Sequence, residues 1–351
     1  MPRAETSAPY RLFGLELSPH SVKVRAYLRF KGLPHTFVPR TIFRHPELAM
    51  RAKRPLVPVL VGADGKTLED STCILDELER RHPEPALEGA DEGLAFLSAF
   101  VEEYADEWLV KPMYLSRWTH PSDADSASRR LAKEIFHAPD FLLPTVAGRI
   151  ERRMKSRLAS LGAEPENAAI LEASLDRLSR RLDAHLAHRP YLLGARPCLG
   201  DFGLFGQLYE LRGDPTGSER LHAIAPRVVA YVERMRHARV EGPFETWESL
   251  MPTLAPLVHD EVTSTFLPWS LANARAVAER AESFEVRLHD APFRQAPQAY
   301  SAESLGLLRA KLDRAATSRS TLTILSRTDG MSLFELEPPK RRSTSDPGNG
   351  F

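Results

Sequence analysis

Cysteine is scarce in this sequence: Cys73 and Cys198 are the two among 351 residues, far apart and in no C-x-x-C or Cys/His cluster. That argues against a disulfide scaffold and against a metal site. Net charge is missing too, since 47 Lys and Arg balance 47 Asp and Glu. The electrostatic reason to expect a nucleic acid or an anionic membrane as partner goes with it. No apolar run approaches the roughly 18 residues that a membrane-spanning helix needs. The opening MPRAETSAPY lacks the apolar stretch of a signal peptide. No internal repeat is evident. These absences leave a chain long enough for two or three domains. It is expected in a reducing cytoplasm, with no metal, nucleic-acid or membrane partner.

Residues 10–88 read as a small α/β unit. Tyr10 to Gly14 is a short apolar strand. Ser18-Pro19 opens a helix, Ser as N-cap and Pro at the first helical position, with Val24, Tyr27 and Leu28 on its apolar face. Gly32 ends it. His35 to Arg40 is a second strand, and residues 41–56 read as basic and irregular. Val59 to Val61 is a buried strand. A turn at Gly62 to Gly65 returns it through Thr67 to Glu69. Asp70-Ser71 caps another helix with Ile74, Leu75 and Leu78 inward, stopped at His82-Pro83. After a linker at residues 85–92 the pattern is helical. Leu94, Leu97, Val101, Tyr104 and Trp108 follow helical spacing, as do Leu171 to Leu186 and Leu221 to Met235.

The expected organisation is therefore residues 8–86 as an α/β domain, 90–250 as an all-helical domain, and 251–337 as an extension packed on it. The polar, breaker-rich stretch 338–351 is expected to be disordered. Within the extension, Ser270 to Ala281 reads as a helix. Phe284, Val286 and Leu288 alternate like a strand that turns back through Phe293 and Gln295. Ser301 caps a helix carrying Leu305, Leu308 and Leu312.

On residue pattern alone, Ser18 is a helix cap, and so is the Asp70-Ser71 pair. Aromatics at helical spacing are more often core than pocket, although Tyr104, Trp108, Tyr114 and Trp118 are the candidates for an apolar pocket wall. Arg117 reads as structural, Cys73 as packing, and His20, His137 and His259 show no partner spacing.

Four segments in order carry a resemblance. Ser18-Pro19-His20-Ser21-Val22-Lys23-Val24-Arg25 resembles the start of the first helix in the glutathione S-transferase superfamily. Leu56-Val57-Pro58-Val59-Leu60 resembles its V-P-x-L strand, where the proline is cis. Leu68-Glu69-Asp70-Ser71 resembles its acid-Ser pair at the third helix. Tyr191-Leu192-Leu193-Gly194 with Pro197-Cys198-Leu199-Gly200-Asp201-Phe202 resembles the buried capping motif of its helical domain. The stretch Glu107 to Lys111 and the long extension resemble a larger bacterial group. Three positions depart from the pattern. Lys53-Arg54-Pro55-Leu56 stands in place of Asn-Pro-x-Gly, Cys198 in place of a Ser or Thr cap, and Ser18 where Cys or Tyr also occurs.

The resemblance implies a thioredoxin-like domain followed by an all-α helical domain, assembled as a homodimer. It implies glutathione as co-substrate, with the sulfur at Ser18, Val57 and Pro58 pairing with the cysteinyl part, and Asp70 and Ser71 holding the γ-glutamyl end. It also implies an electrophilic small molecule in the helical domain, against Tyr104, Trp108 and Tyr114. The energetics suffice. A thiol ionises near 8.5, and lowering that by about 2 units takes about 2.7 kcal/mol. A hydroxyl donating to an anion supplies about 1.5–3 kcal/mol, and a helix N-terminus up to about 2. Ser21 is a weaker candidate for the same role. Two other readings stay open: a glutathione-dependent reductase, against which Ser18 in place of Cys counts, and a non-catalytic binding or regulatory protein on the same fold.

Overall fold

The computed structural model describes residues 9–54 and 56–335. Pro55 and the tail expected to be disordered, 338–351, lie outside the described residues.

The chain opens with β1 (Tyr10–Gly14), α1 (Pro19–Phe30), β2 (His35–Pro39), α2 (His45–Arg51), β3 (Val59–Val61), β4 (Thr67–Glu69) and α3 (Ser71–Arg81). The strands form one sheet in the order β2-β1-β3-β4. β1 runs parallel to β2, with Leu12 beside Phe37, and antiparallel to β3, with Leu12 opposite Leu60. β4 pairs antiparallel with β3. The ends of β1, β2 and β4 and the start of β3 therefore share one edge of the unit. Ser18, Arg40, Asp70 and the Val57–Pro58 pair follow or precede those ends. Ligands of open α/β sheets collect beyond the carboxyl ends of parallel strands.

α1 starts where expected. Ser18 is extended and its side chain accepts from the Ser21 N–H at 3.3 Å, while Gly32 adopts φ +62°, which suits glycine. The segment 41–56, expected to be irregular, contains α2. Thr41 Oγ1 accepts from Arg44 N at 3.2 Å, and Glu47 stands in the first turn with ion pairs to Arg11 and Arg44. Leu48 is its one buried residue, so no apolar period betrays it.

The helical part comprises α4 (Glu92–Tyr104), a π-helical turn (Ala105–Leu109), α5 (Val110–Thr119), α6 (Pro121–Phe136), α7 (Leu143–Lys155), α8 (Ala168–His185), α9 (Leu199–Arg212), α10 (Pro215–Ile224), α11 (Pro226–Met235) and α12 (Trp247–Leu257). α9 lies against both α1 and α4. The approach to α1 needs a glycine, because a Cβ at Gly206 would stand 2.6 Å from the Pro19 carbonyl oxygen. Tyr27 and Phe202 meet edge to face across this contact, at 5.6 Å between centroids. Asp201 does the capping at α9: it accepts from Cys198 N and Leu192 N, both at 2.9 Å, and from Tyr231 Oη. The thiol at the cap position is thus supported by its neighbour's carboxylate.

Beyond α12 come a π-helical segment (Val258–Phe266), α13 (Leu267–Glu279), a hairpin of β5 (Phe284–Leu288) and β6 (Ala291–Gln295), α14 (Ala299–Ala315) and α15 (Arg319–Arg327). The hairpin turns through His289 and Asp290, both at positive φ, as a tight two-residue connection requires. The boundary drawn after residue 250 falls inside α12, because Leu250, Leu254 and Leu257 continue one buried helical face. Ser301 is not the cap of α14. The helix begins two residues earlier, and Ser301 Oγ donates to Gln298 Oε1 at 3.2 Å. α14 and α15 lie on α4, and α12 on α8. The main core runs from Leu12 in the sheet through Trp108 to Leu325 in α15, with smaller clusters around Phe13 and Leu48 and around Tyr114 and Trp118.

Candidate functional site

A cavity of about 1200 Å³ opens between the edge of the α/β unit, the α4–α5 rod, α6 and α7, and the start of α14. Its size exceeds the usual range for one small ligand, about 300–1,000 Å³. Ser18, Val57, Pro58, Asp70, Ser71 and Tyr114 all line it. The Val57–Pro58 peptide is cis, as is Glu84–Pro85.

Ser18 spends one lone pair on capping α1. A hydroxyl has two lone pairs and one hydrogen, so its O–H remains available to donate toward the cavity, beside a helix N-terminus that favours an anion. Ser21 is fully buried and absent from the wall; its Oγ accepts from Leu15 N at 3.3 Å. Asp70 caps α3 through Oδ1, which accepts from Cys73 N at 3.0 Å, and it does so at φ +71°. Such a backbone costs a non-glycine residue of order 1–3 kcal/mol and tends to persist at functional positions.

Beneath Ser71 lies a buried charge network that the sequence did not disclose. Lys23 Nζ, fully buried on α1, donates to Glu102 and, at 2.6 Å, to Asp106 Oδ2. Thr72 Oγ1 donates to Glu102 at 2.6 Å, and Ser71 Oγ to Asp106 Oδ2 at 3.3 Å. Burial alone would raise the Asp106 carboxyl, but the Lys23 ammonium and His20 outweigh it and hold the group well below the usual carboxylate range. The same attraction overcomes burial at Lys23 and keeps it charged. Asp106 belongs to the π-helical turn, whose wider winding re-aims side chains and recurs at functional sites. His20 is therefore not isolated: it lines the cavity and faces Asp106 at 3.6 Å. Because Ser71 donates its proton to Asp106, anion recognition at the start of α3 falls to the first helical N–H groups, which have no partner within the helix.

The far end of the cavity is apolar, with Trp118 and Leu131 beside Tyr114, and Ile150 and Met154 from α7. Tyr114 Oη donates to the Met154 carbonyl at 2.8 Å, which satisfies its polar tip and leaves the ring as wall. Tyr104 and Trp108 do not belong to this wall. Both are fully buried. Tyr104 Oη donates to Glu261 at 3.3 Å, and Trp108 Nε1 to Ser174 at 2.9 Å. The Trp108 ring packs on Trp269 and Phe293, at 5.7 and 5.3 Å between centroids. They face the core beneath the C-terminal segment, whose cover no helical period reveals.

That segment also reaches the site. Tyr300 Oη donates to Asp70 Oδ2, and Gln298 and Ser301 line the cavity. Lys111, fully buried on α5, is held by the Leu161 carbonyl at 3.1 Å and by Gln295 at 3.2 Å, with its ammonium 4.1 Å from the Trp269 ring centre. Burial pushes it down to about 7, against the attraction of Glu107. Arg117 is tied to Glu210 at 2.7 Å and Asp214 at 2.6 Å. Cys73, read as packing, is exposed instead. Its thiol is nonetheless partly shielded from water, and that shielding and the nearby Asp70 raise it to about 11, which makes it a poor nucleophile. Among the described residues no group of three His, Cys, Asp or Glu is placed to hold a metal, and no helix is long and apolar enough to cross a membrane.

Two family models match the chain: glutathione S-transferase, N-terminal domain, over residues 12–86, and glutathione S-transferase, C-terminal domain, over residues 149–234. No curated protein matches it significantly. Among solved structures, it is similar to a glutathione S-transferase from Methylobacterium radiotolerans in complex with glutathione sulfonate. The identity is 21% over 70% of this chain and 95% of that one, with a TM-score of 0.38. A β-etherase from Sphingobium sp. strain SYK-6 gives 20%, 65%, 95% and 0.46 in the same order. A glutathione transferase from Phanerochaete chrysosporium gives 18%, 66%, 98% and 0.47.

Proposed function

Because the chain belongs to the glutathione S-transferase superfamily, we propose that it binds glutathione along the Ser18–Val57–Asp70 wall and joins its sulfur to an electrophilic small molecule. The observation that carries this is the unspent Ser18 hydrogen at a helix N-terminus, in the same cavity as the cis Val57–Pro58 pair and the start of α3. In the reaction, glutathione's thiol proton passes to solvent and the thiolate accepts a hydrogen bond from Ser18 Oγ. A sulfur lone pair then forms the C–S bond, and the acceptor's leaving group departs with the bonding electrons. Catalysis is thiolate stabilisation plus proximity. The γ-glutamyl ammonium meets the acids at Asp70 and Asp106, and its carboxylate the first N–H groups of α3. We place the enzyme in the cytoplasm as a homodimer; light scattering that returns a monomer mass at micromolar concentration would remove the second part.

One observation favours a second reading, a binding protein without turnover: Tyr300 already engages Asp70. Calorimetric titration with glutathione, followed by assay with 1-chloro-2,4-dinitrobenzene, separates the two. Binding with turnover that falls in Ser18→Ala supports the transferase. Binding with no turnover supports the second reading, and no binding overturns both.

A further inference from the structure

The acids that line the cavity gather at one end, with His20, Arg54 and Lys111 among them, and three further arginines gather at the other. Glu69, Asp70, Asp106 and Glu107 lie toward β4, α3 and the π-helical turn, whereas Arg40, Arg153 and Arg157 lie toward β2 and α7. β2 and β4 are the two edges of the four-stranded sheet. At about 4.8 Å per strand, Arg40 and Asp70 are set about 14 Å apart.

The acids have partners: Asp106 has Lys23, Asp70 has Tyr300, Glu107 has Ser301, and Glu69 accepts from the backbone of Lys53 and Arg54. The three arginines have none. Among the described residues no carboxylate pairs with Arg40, Arg153 or Arg157, and Arg40 Nε is buried without any hydrogen-bond acceptor. Burial, and then the neighbouring Arg153, weaken the hold of Arg40 on its proton. Guanidinium groups gathered in a cavity without a carboxylate partner from the protein leave donors unspent, and their fork geometry matches carboxylate, sulfonate or phosphate oxygens.

Their setting says what else the ligand carries. Ile150, Arg153 and Met154 share one face of α7, at helical spacing, with Arg157 just past its end, and all four line the cavity. The apolar wall of Tyr114, Trp118 and Ile150 therefore adjoins the cations. We propose that Arg40, Arg153 and Arg157 form an anion-binding subsite that selects acceptors bearing an acidic group on an apolar body. This deepens the transferase reading and rests on it for the reaction, but not for the binding.

A matched pair of fluorescent probes tests it: 8-anilinonaphthalene-1-sulfonate and N-phenyl-1-naphthylamine, which lacks the sulfonate. The unaltered protein binds the sulfonate about tenfold or more tightly than the neutral probe. Arg40→Gln/Arg153→Gln removes that preference while leaving the neutral probe's affinity in place, which also reports that the cavity has kept its shape. Arg153→Lys keeps part of it. No preference in the unaltered protein, or one that survives in the double variant, overturns the proposal. The glycyl carboxylate of glutathione is the other source of this chemistry, and competition separates the two. Binding of the sulfonate probe alongside glutathione supports the acceptor subsite. Its displacement by glutathione but not by γ-glutamylcysteine assigns the arginines to the glycyl end; displacement by both assigns the probe to the glutathione wall; either overturns the proposal. The readout is binding, so a protein that conjugates nothing still answers.

Discussion

The α/β unit and the segment beyond α12 both build the cavity, but by different means. Ser18, Pro58 and Asp70 stand where local rules put them: a helix cap, the residue before a strand, another cap. Tyr300, Gln298 and the cover over Trp108 arrive only because α13, the hairpin and α14 fold back onto α4 and α5. Chemistry close in sequence comes from the first region, and the walls and restraints around it come from the second.

The sharpest way to break that comparison is to end the chain at Leu257. This strips cover from Phe100, Tyr104 and Trp108 and removes Phe266, Trp269 and Phe293 from the core. Each buried aromatic is worth about 1.5–3 kcal/mol, and domains hold about 5–15 kcal/mol in all. The expected result is loss of a cooperative melt by circular dichroism, with aggregation. A soluble protein melting at an unchanged temperature would make the segment a separable appendage.

Next in size is Lys23→Met. It leaves Glu102 and Asp106 buried without their cation, and denaturant unfolding should show a loss of about 3–5 kcal/mol. A change under 1 kcal/mol would mean that the network is not held dry. Third is acidity. The Asp106 carboxyl is lowered in the folded state, so the stability it contributes is present above its unfolded value near 4 and is lost as pH falls below that toward the folded one. Melting temperatures from pH 6 to 3 should fall more steeply in the unaltered protein than in Asp106→Asn. Parallel curves would contradict the lowered carboxyl. The smallest effect belongs to Tyr300→Phe. The ring is half exposed, so stability should move by less than about 0.5 kcal/mol. Freeing Asp70 should tighten glutathione a few-fold by calorimetry. Weaker binding would make Tyr300 part of the ligand's contact surface.

Sequence patterning reached the α/β unit and the helical run because caps, turns and apolar periods are local. It missed α2, which buries one leucine. Pattern alone favours core for Tyr104 and Trp108, and both are buried. The resemblance places them in the acceptor pocket, and the period cannot correct it because a helix facing a cavity and one facing a core share it. The π-helical turn, between Tyr104 and Val110, shifts the faces further. The Lys23–Asp106 pair spans 83 residues and Tyr300–Asp70 spans 230, beyond any spacing rule. A signal was present: Glu102, Glu103, Asp106 and Glu107 interrupt an otherwise apolar helix, and buried acids demand partners.

The central claim, that Ser18 holds a thiolate, is tested most directly by the ultraviolet thiolate absorbance of bound glutathione followed against pH. With Ser18 in place, the midpoint should lie about 2 units below the free thiol's 8.5 or so. In Ser18→Ala it should return most of the way to that value, with glutathione still bound by calorimetry. One midpoint shared by both proteins would contradict the account.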